Sequence, residues 1–264
     1  MRLLFSAAGL VIAPFLVCVT EIVAQQAEAE RVMVLTRGRF RMVFTRSSSV
    51  DTTRVKHVLK VLEQSVLVPG LPKQTLSTVD ITISIAERPQ GNADAVSFPS
   101  ERIIVLPSRE WLAWDDRKLT RVIRHEIAHI ALSRYLQAAP VPMWFDEGFA
   151  EWASGGLSCE GETRVRLDLL RLRGNVSFLS LDGLSGSRPT RLQYDYFATF
   201  FEFLEARSAS LSNGRLLELV HRWGVPRALS AVMGANVSTI ESSWRDVIHR
   251  RYGGGLQRKG TCKA

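Results

Sequence analysis

His125-Glu126-Ile127-Ala128-His129 puts two imidazoles four residues apart, with a carboxylate directly after the first. On a helix such residues stand about 40° apart around the axis and one turn along it, so both rings can face one ion. Glu126 starts on a neighbouring line of the same face, within reach of a water at that ion. Zinc in a hydrolytic site takes three protein ligands and keeps a fourth position for water, so a third ligand is needed. Position 135, where a third histidine of a longer helical motif would stand, is Tyr135, and Leu132 replaces the glycine that such a motif needs. A carboxylate must serve instead. Trp144-Phe-Asp-Glu-Gly-Phe-Ala-Glu-Trp152 supplies Asp146, Glu147 and Glu151. Glu147 and Glu151 are spaced i,i+4 on one helical face, so one can bind metal while the other orients a histidine.

The elements that must position these groups are legible around them. Leu119, Val122, Ile123, Ile127 and Ile130 form a helical stripe from Asp115 to about Leu136. Pro140 and Pro142 break it, because neither donates to a helix ladder. A second helix over Trp144–Trp152, ended by Gly155-Gly156, then has to fold back against the first. Upstream, Phe40–Thr45 and Val79–Ala86 alternate as strands, and Val55, Val58, Leu59, Leu62 and Val66 mark a helix between them. Residues 87–100 read as a loop. Ile103–Leu106, closed by Pro107, reads as a short strand at a sheet edge or at its end. Residues 157–191 read as irregular and basic, Gln193–Ala206 as an aromatic helix, and the remainder to Arg251 as further helices. Strands in the first third and helices afterwards predict an α+β fold: a small mixed sheet with helices, then a mainly helical half, with the cleft between them.

Met1–Val19 has the form of an export leader, with Arg2 at its start and no charge from Leu3 to Thr20. The expected organisation is a leader or N-terminal anchor over 1–24, one folded domain over 30–252 and a basic tail over 253–264. Export makes the chain periplasmic or extracellular, with a membrane-anchored form as the alternative. In that compartment Cys159 and Cys262 can pair or remain thiols. The chain carries 34 Lys+Arg against 26 Asp+Glu, a formal charge of +8. No nucleic-acid-binding motif accompanies that charge, so nucleic acid is not an expected partner. Arg164, Arg166, Arg171 and Arg173 read as a solvated face, and His57, His221 and His249 as scattered ordinary histidines.

HEIAH followed after seventeen residues by the glutamate of W-x-x-E-G-x-A-E resembles the gluzincin metallopeptidases, specifically the small peptidase MA-like proteins. The resemblance runs from about Phe40 to Trp244. Gly91-Asn-Ala-Asp-Ala95 is similar to the family's approach to its edge strand. Tyr194-Asp-Tyr-Phe-Ala-Thr-Phe is similar to its Y-A-Q-S-x-x-F helix, with Asp195 and Tyr196 departing from A-Q. Val232–Ser238 and Glu241-Ser-Ser-Trp244 are similar to its closing pattern. The resemblance implies one Zn²⁺ held by His125, His129 and Glu147, with Glu126 as general base in hydrolysis of a peptide or protein substrate. It implies that Glu151 hydrogen-bonds a ligand histidine and that Tyr194, with Tyr196 behind it, is the oxyanion donor. Ile103, Ile104 and Val105 are the expected substrate-pairing strand. The alternative in a different class is a catalytically silent zinc domain serving as a scaffold of the cell envelope.

Overall fold

The apolar stretches of the first third assemble into one five-stranded sheet, and the later stripes become helices stacked beside it. A computed structural model describes residues 32–45, 52–86, 94–107, 110–137, 139–171 and 190–253. Over these the fold is mixed α+β. Strands β1 (Val32–Arg37) and β2 (Phe40–Thr45) form a hairpin around Gly38-Arg39, and Gly38 takes the left-handed φ of 57° that the tight turn requires. Helix α1 (Thr52–Ser65) then carries the chain to β3 (Ile81–Ala86), which lies parallel to β2. Strands β4 (Val96–Phe98) and β5 (Ile103–Pro107) complete the spatial order β1-β2-β3-β5-β4.

Alternation decides which face is covered. Met42, Ile83 and Ile104 stand in register across three strands and are fully buried. Their neighbours Val43, Ser84 and Val105 point the other way and keep part of their surface. Val55, Val58, Leu59 and Leu62 of α1 join this core. So do Leu119, Ile123, Ile127 and Ile130 of the long helix α3 (Asp116–Tyr135), which follows a one-turn helix α2 (Glu110–Ala113). Burying each such aliphatic side chain contributes about 1.5–3 kcal/mol, which anchors α3 rigidly under the sheet.

The helical half continues with α4 (Met143–Ala153), α5 (Cys159–Arg171), α6 (Arg191–Arg207), α7 (Arg215–Trp223), α8 (Val225–Met233) and α9 (Val237–Tyr252). Helices α4 and α6 pack closely through aromatic edges, with Phe145 and Phe201 ring centroids 5.2 Å apart and Trp144 and Phe200 5.4 Å apart. Gly148 makes that approach possible: a Cβ there would lie 2.6 Å from Phe201 Cε2.

Three expectations are corrected. Ile103–Leu106 is not an edge strand, so Ile103, Ile104 and Val105 are not free to pair with a substrate. β5 is bonded to β3 on one side and to β4 on the other. A tight return over 99–102, with Arg102 at φ 60°, brings β4 out of the expected loop to take the edge. Pro107 is tolerated because it stands at the end of β5, opposite Ala86. Likewise, α5 falls inside the stretch expected to be irregular. Its apolar stripe is only Val165 and Leu169, too narrow to register as a periodicity, and its remaining buried contacts are polar. Lastly, β1 was not foreseen, because Val32-Met33-Val34-Leu35 is a continuous apolar run without alternation. The expected leader, residues 91–93, Arg173 and the expected tail beyond Gly253, with Cys262, lie outside the described residues. Cys159 is disulfide-bonded. Among the described residues no helix is long and apolar enough to cross a membrane.

Candidate metal centre

Helix α3 is started by Asp115, whose carboxylate accepts from the Lys118 N–H at 2.7 Å. It runs for 20 residues, so His125 and His129 stand within its body, away from fraying ends. Leu136 caps its C-terminus, Gln137 turns with a left-handed φ of 55°, and Pro142 starts α4 in the opposite direction. The polar stripe of α3 then meets the acidic stripe of α4: Arg121 faces Glu151, His125 faces Glu147, and His129 faces both Glu147 and Asp146.

Three donor atoms converge. The Nε2 atoms of His125 and His129 are 3.1 Å apart, and Glu147 Oε2 lies 3.3 Å from the first and 3.4 Å from the second. The rings meet nearly edge to face, at 78°, so their lone pairs converge on a common point. Glu147 Oε2 is buried and accepts no well-aligned hydrogen bond. Three ligands tetrahedrally arranged about 2.0–2.1 Å from a zinc ion have edges of about 3.3–3.4 Å. The separations observed fit that triangle, so His125, His129 and Glu147 form a group that could hold a metal ion.

No protein-family model and no curated protein matches this chain.

The surrounding groups reinforce the cluster. Asp146 Oδ1 lies 2.9 Å from His129 Nδ1, an ion-pair contact outside hydrogen-bond alignment, on the side of the ring away from the other donors. Glu151, buried at 3% exposure, was expected to hydrogen-bond a ligand histidine; its Oε1 is 3.9 Å from His125 Nδ1, beyond hydrogen-bond reach. Its carboxylate is held instead by Arg121 Nη2 at 2.6 Å and by Arg191 Nη1 at 3.2 Å. Arg121 also donates to the Gly156 carbonyl at 2.7 Å, tying α3 to the turn that ends α4. Tyr194 donates its hydroxyl to Glu147 Oε1 at 3.2 Å, so the first turn of α6 reaches the site. Tyr196 does not reach it. It is fully buried and donates to Asp168 Oδ2 at 2.9 Å. Glu126 is buried at 6% exposure on α3, and no described side chain hydrogen-bonds its carboxylate.

The electrostatics follow from burial set against charge. Burial drives the His129 imidazole toward the neutral form, yet Asp146 and Glu147 overcome this and carry its pKa well above the ordinary 6.5. His125 is raised in the same way, chiefly by Glu147 against its burial. Burial disfavours the Glu147 carboxylate, but the two imidazoles hold its pKa far below the usual carboxylate range. Glu151 is lowered despite its burial, by His125, Arg191 and Arg121. Positive charge on the imidazoles and negative charge on these carboxylates thus favour one another.

Sequence reasoning missed Arg121 and Arg191 and weighed Asp146 only as a rival ligand. Arg121 had a readable signal: it stands four residues before His125 on the same stripe. Arg191 had none, because a separate helix brings it in. Arg164 and Arg166 are not simply a solvated face. Arg164 forks onto the buried Asp195 with bonds of 2.6 and 2.9 Å, and Arg166 pairs with Glu162 at 2.8 Å.

Proposed function

We propose that this chain is an exported zinc-dependent metallopeptidase, with His125, His129 and Glu147 holding the ion. The observation that carries this reading is the triangle of Nε2, Nε2 and Oε2 atoms, 3.1–3.4 Å on a side, built on two firmly packed helices. Two neutral imidazoles and one carboxylate suit zinc, which prefers nitrogen and oxygen donors in a tetrahedral set. Zinc bound there supplies Lewis acidity, making water more acidic at neutral pH and polarising a substrate carbonyl.

The protein groups do the rest. Glu126, adjacent to a ligand and without a described hydrogen-bond partner, takes a proton from water onto its carboxylate and returns it to the departing amine nitrogen. Asp146 holds His129 with its Nε2 turned to the ion. Tyr194, whose hydroxyl already lies 3.2 Å from Glu147 Oε1, is the donor to the carbonyl oxygen as that oxygen gains charge. In this reading the substrate meets the outer edge of β4, the last strand of the sheet among the described residues. An extended peptide can add to that edge as a sixth strand, its backbone bonded to β4 and its scissile bond delivered over α3.

The test is metal analysis of the purified protein with a peptide-library digest, repeated with chelator and with Glu126→Gln. The expected result is one zinc per chain, chelator-sensitive cleavage, and a Glu126→Gln variant that keeps zinc and loses turnover. Zinc bound with no cleavage of any peptide would assign the chain to the silent-scaffold alternative instead.

A further inference from the structure

The first turn of α6 carries two side chains toward the acidic stripe of α4, and only one has a role so far. Thr190 caps this turn in a capping box with Gln193, which fixes where residues 191–194 point. Tyr194 reaches Glu147, and one turn earlier Arg191 reaches Glu151. Glu151 is shared between Arg191 and Arg121, and Arg121 holds it more closely, at 2.6 Å and from a more buried position. Arg191 itself is half exposed, with 52% of its side-chain surface accessible. It uses one N–H on Glu151 and leaves the other donors of its fork without a described protein partner. Its distance from the chemistry is short. The same Glu151 Oε1 lies 3.2 Å from Arg191 Nη1 and 3.9 Å from His125 Nδ1, so Arg191 stands within about two extended residues of the ligand ring.

We propose that Arg191 is a substrate-recognition residue that binds a carboxylate of the peptide within about two residues of the scissile bond. A guanidinium fork matches a carboxylate in two parallel bonds and stays charged at every physiological pH. Here it is anchored on one edge by Glu151, which orients it, and open on the other. The inference deepens the hydrolase reading above and rests on it for the place of the scissile bond. The carboxylate can be a peptide's C-terminus or an acidic side chain.

Four hexapeptide forms separate the two sources: free acid or C-terminal amide, each with Glu or Gln at the positions flanking the cleaved bond. Binding is measured to zinc-loaded Glu126→Gln protein, with and without Arg191→Met, and hydrolysis is measured on the otherwise unsubstituted chain. Carboxylate-bearing forms should bind about 10–100-fold more tightly than their amides. Arg191→Met should erase that preference through KM while leaving carboxylate-free peptides within about threefold. Preference for the free acid identifies the C-terminus, and preference for Glu over Gln identifies a side chain. Equal binding of all four forms, or an equal loss on every peptide in Arg191→Met, overturns the inference and leaves Arg191 a support for Glu151. Selective binding without hydrolysis by the unsubstituted chain would refute the hydrolase reading and leave the carboxylate site standing.

Discussion

Adding zinc to metal-free protein should raise its thermal midpoint, and Glu147 should carry much of that rise. A ligand that binds only the folded state stabilises it by RT ln(1 + [L]/Kd), about 4 kcal/mol at a thousandfold excess over Kd. For a domain of this size each kcal/mol moves the midpoint by about 2–4 °C, so the expected rise is about 8–16 °C. Glu147→Gln keeps the side chain's shape but removes the anionic donor that lies 3.3 and 3.4 Å from the two imidazole nitrogens. If that costs about a hundredfold in affinity, about 2.7 kcal/mol is lost and the rise shrinks to about 3–6 °C. The assay is differential scanning calorimetry of chelator-stripped, dialysed protein at pH 7.5 with stepwise zinc. Glu218→Gln, a carboxylate paired with Arg215 and Arg222 outside the cluster, serves as the control and should respond like the unsubstituted chain. The same zinc response in Glu147→Gln and in the unsubstituted chain would falsify the assigned ligand set. No response in the unsubstituted chain would remove the metal centre altogether.

Asp146→Asn should weaken zinc binding by about 10–100-fold in a chelator-competition titration while leaving the metal-free midpoint within a few degrees, since Asp146 acts through His129 Nδ1. Gly148→Ala should destabilise the fold by about 1–3 kcal/mol in urea unfolding, because the new methyl would sit 2.6 Å from Phe201 Cε2 and 3.2 Å from the Phe197 carbonyl. Tyr196 sets an alkaline limit. Burial, and then Asp168, push its pKa well above the ordinary 10.0, so its contribution is fully present below pH 10 and lost as pH rises beyond that. The loss of stability between pH 9 and 11 should therefore be smaller in Tyr196→Phe, even though that variant starts less stable at pH 8. Equal slopes would contradict the environment described for this phenol.

The candidate ligands were legible because they sit on two consecutive helices whose spacing and proline break are local properties of the chain. The α+β class followed equally from local periodicity. What escaped depends on contacts between distant segments. Strand β4 is three residues long, flanked by proline, and becomes a strand only because β5 lends it a partner. Its presence converts Ile103–Leu106 from an edge into an interior strand, an exchange that no local pattern encodes. Helix α5 escaped because its buried side is stabilised by charge pairing with α6. Gly161 admits the Asp195 carboxylate, to which a Cβ would approach within 2.5 Å, and Arg164 neutralises it. Asp195 is buried and its charge is met by Arg164, so basic residues that look solvated in the sequence bear directly on the fold. The role of Glu151 shifted for the same reason. Its spacing from Glu147 places it correctly, but two arginines, one of them from α6, take its oxygens before His125 can.

A ladder of charge runs between α3 and α4. Arg121, His125 and His129 descend one helix while Glu151, Glu147 and Asp146 ascend the other, so each of these carboxylates meets a group that is or can be positive. Arg121 is charged at all times and fixes one end of the ladder. The other end is conditional: Glu147 and Asp146 outweigh the burial of its imidazoles and favour protons on them. A metal ion entering there must displace those protons, since ligation uses the neutral ring. Apparent zinc affinity should therefore climb as pH rises through the titration of His125 and His129, while the packing of α3 under the sheet and of α4 against α6 is unchanged. The backbone that sets the donor triangle is held by apolar burial, so exchange of protons for an ion can proceed at a preformed site. A circular-dichroism spectrum indifferent to zinc, together with proton release in calorimetry run in buffers of different ionisation enthalpy, is the expected signature. Zinc-dependent gain of helix would instead mean that α3 and α4 assemble only around the ion.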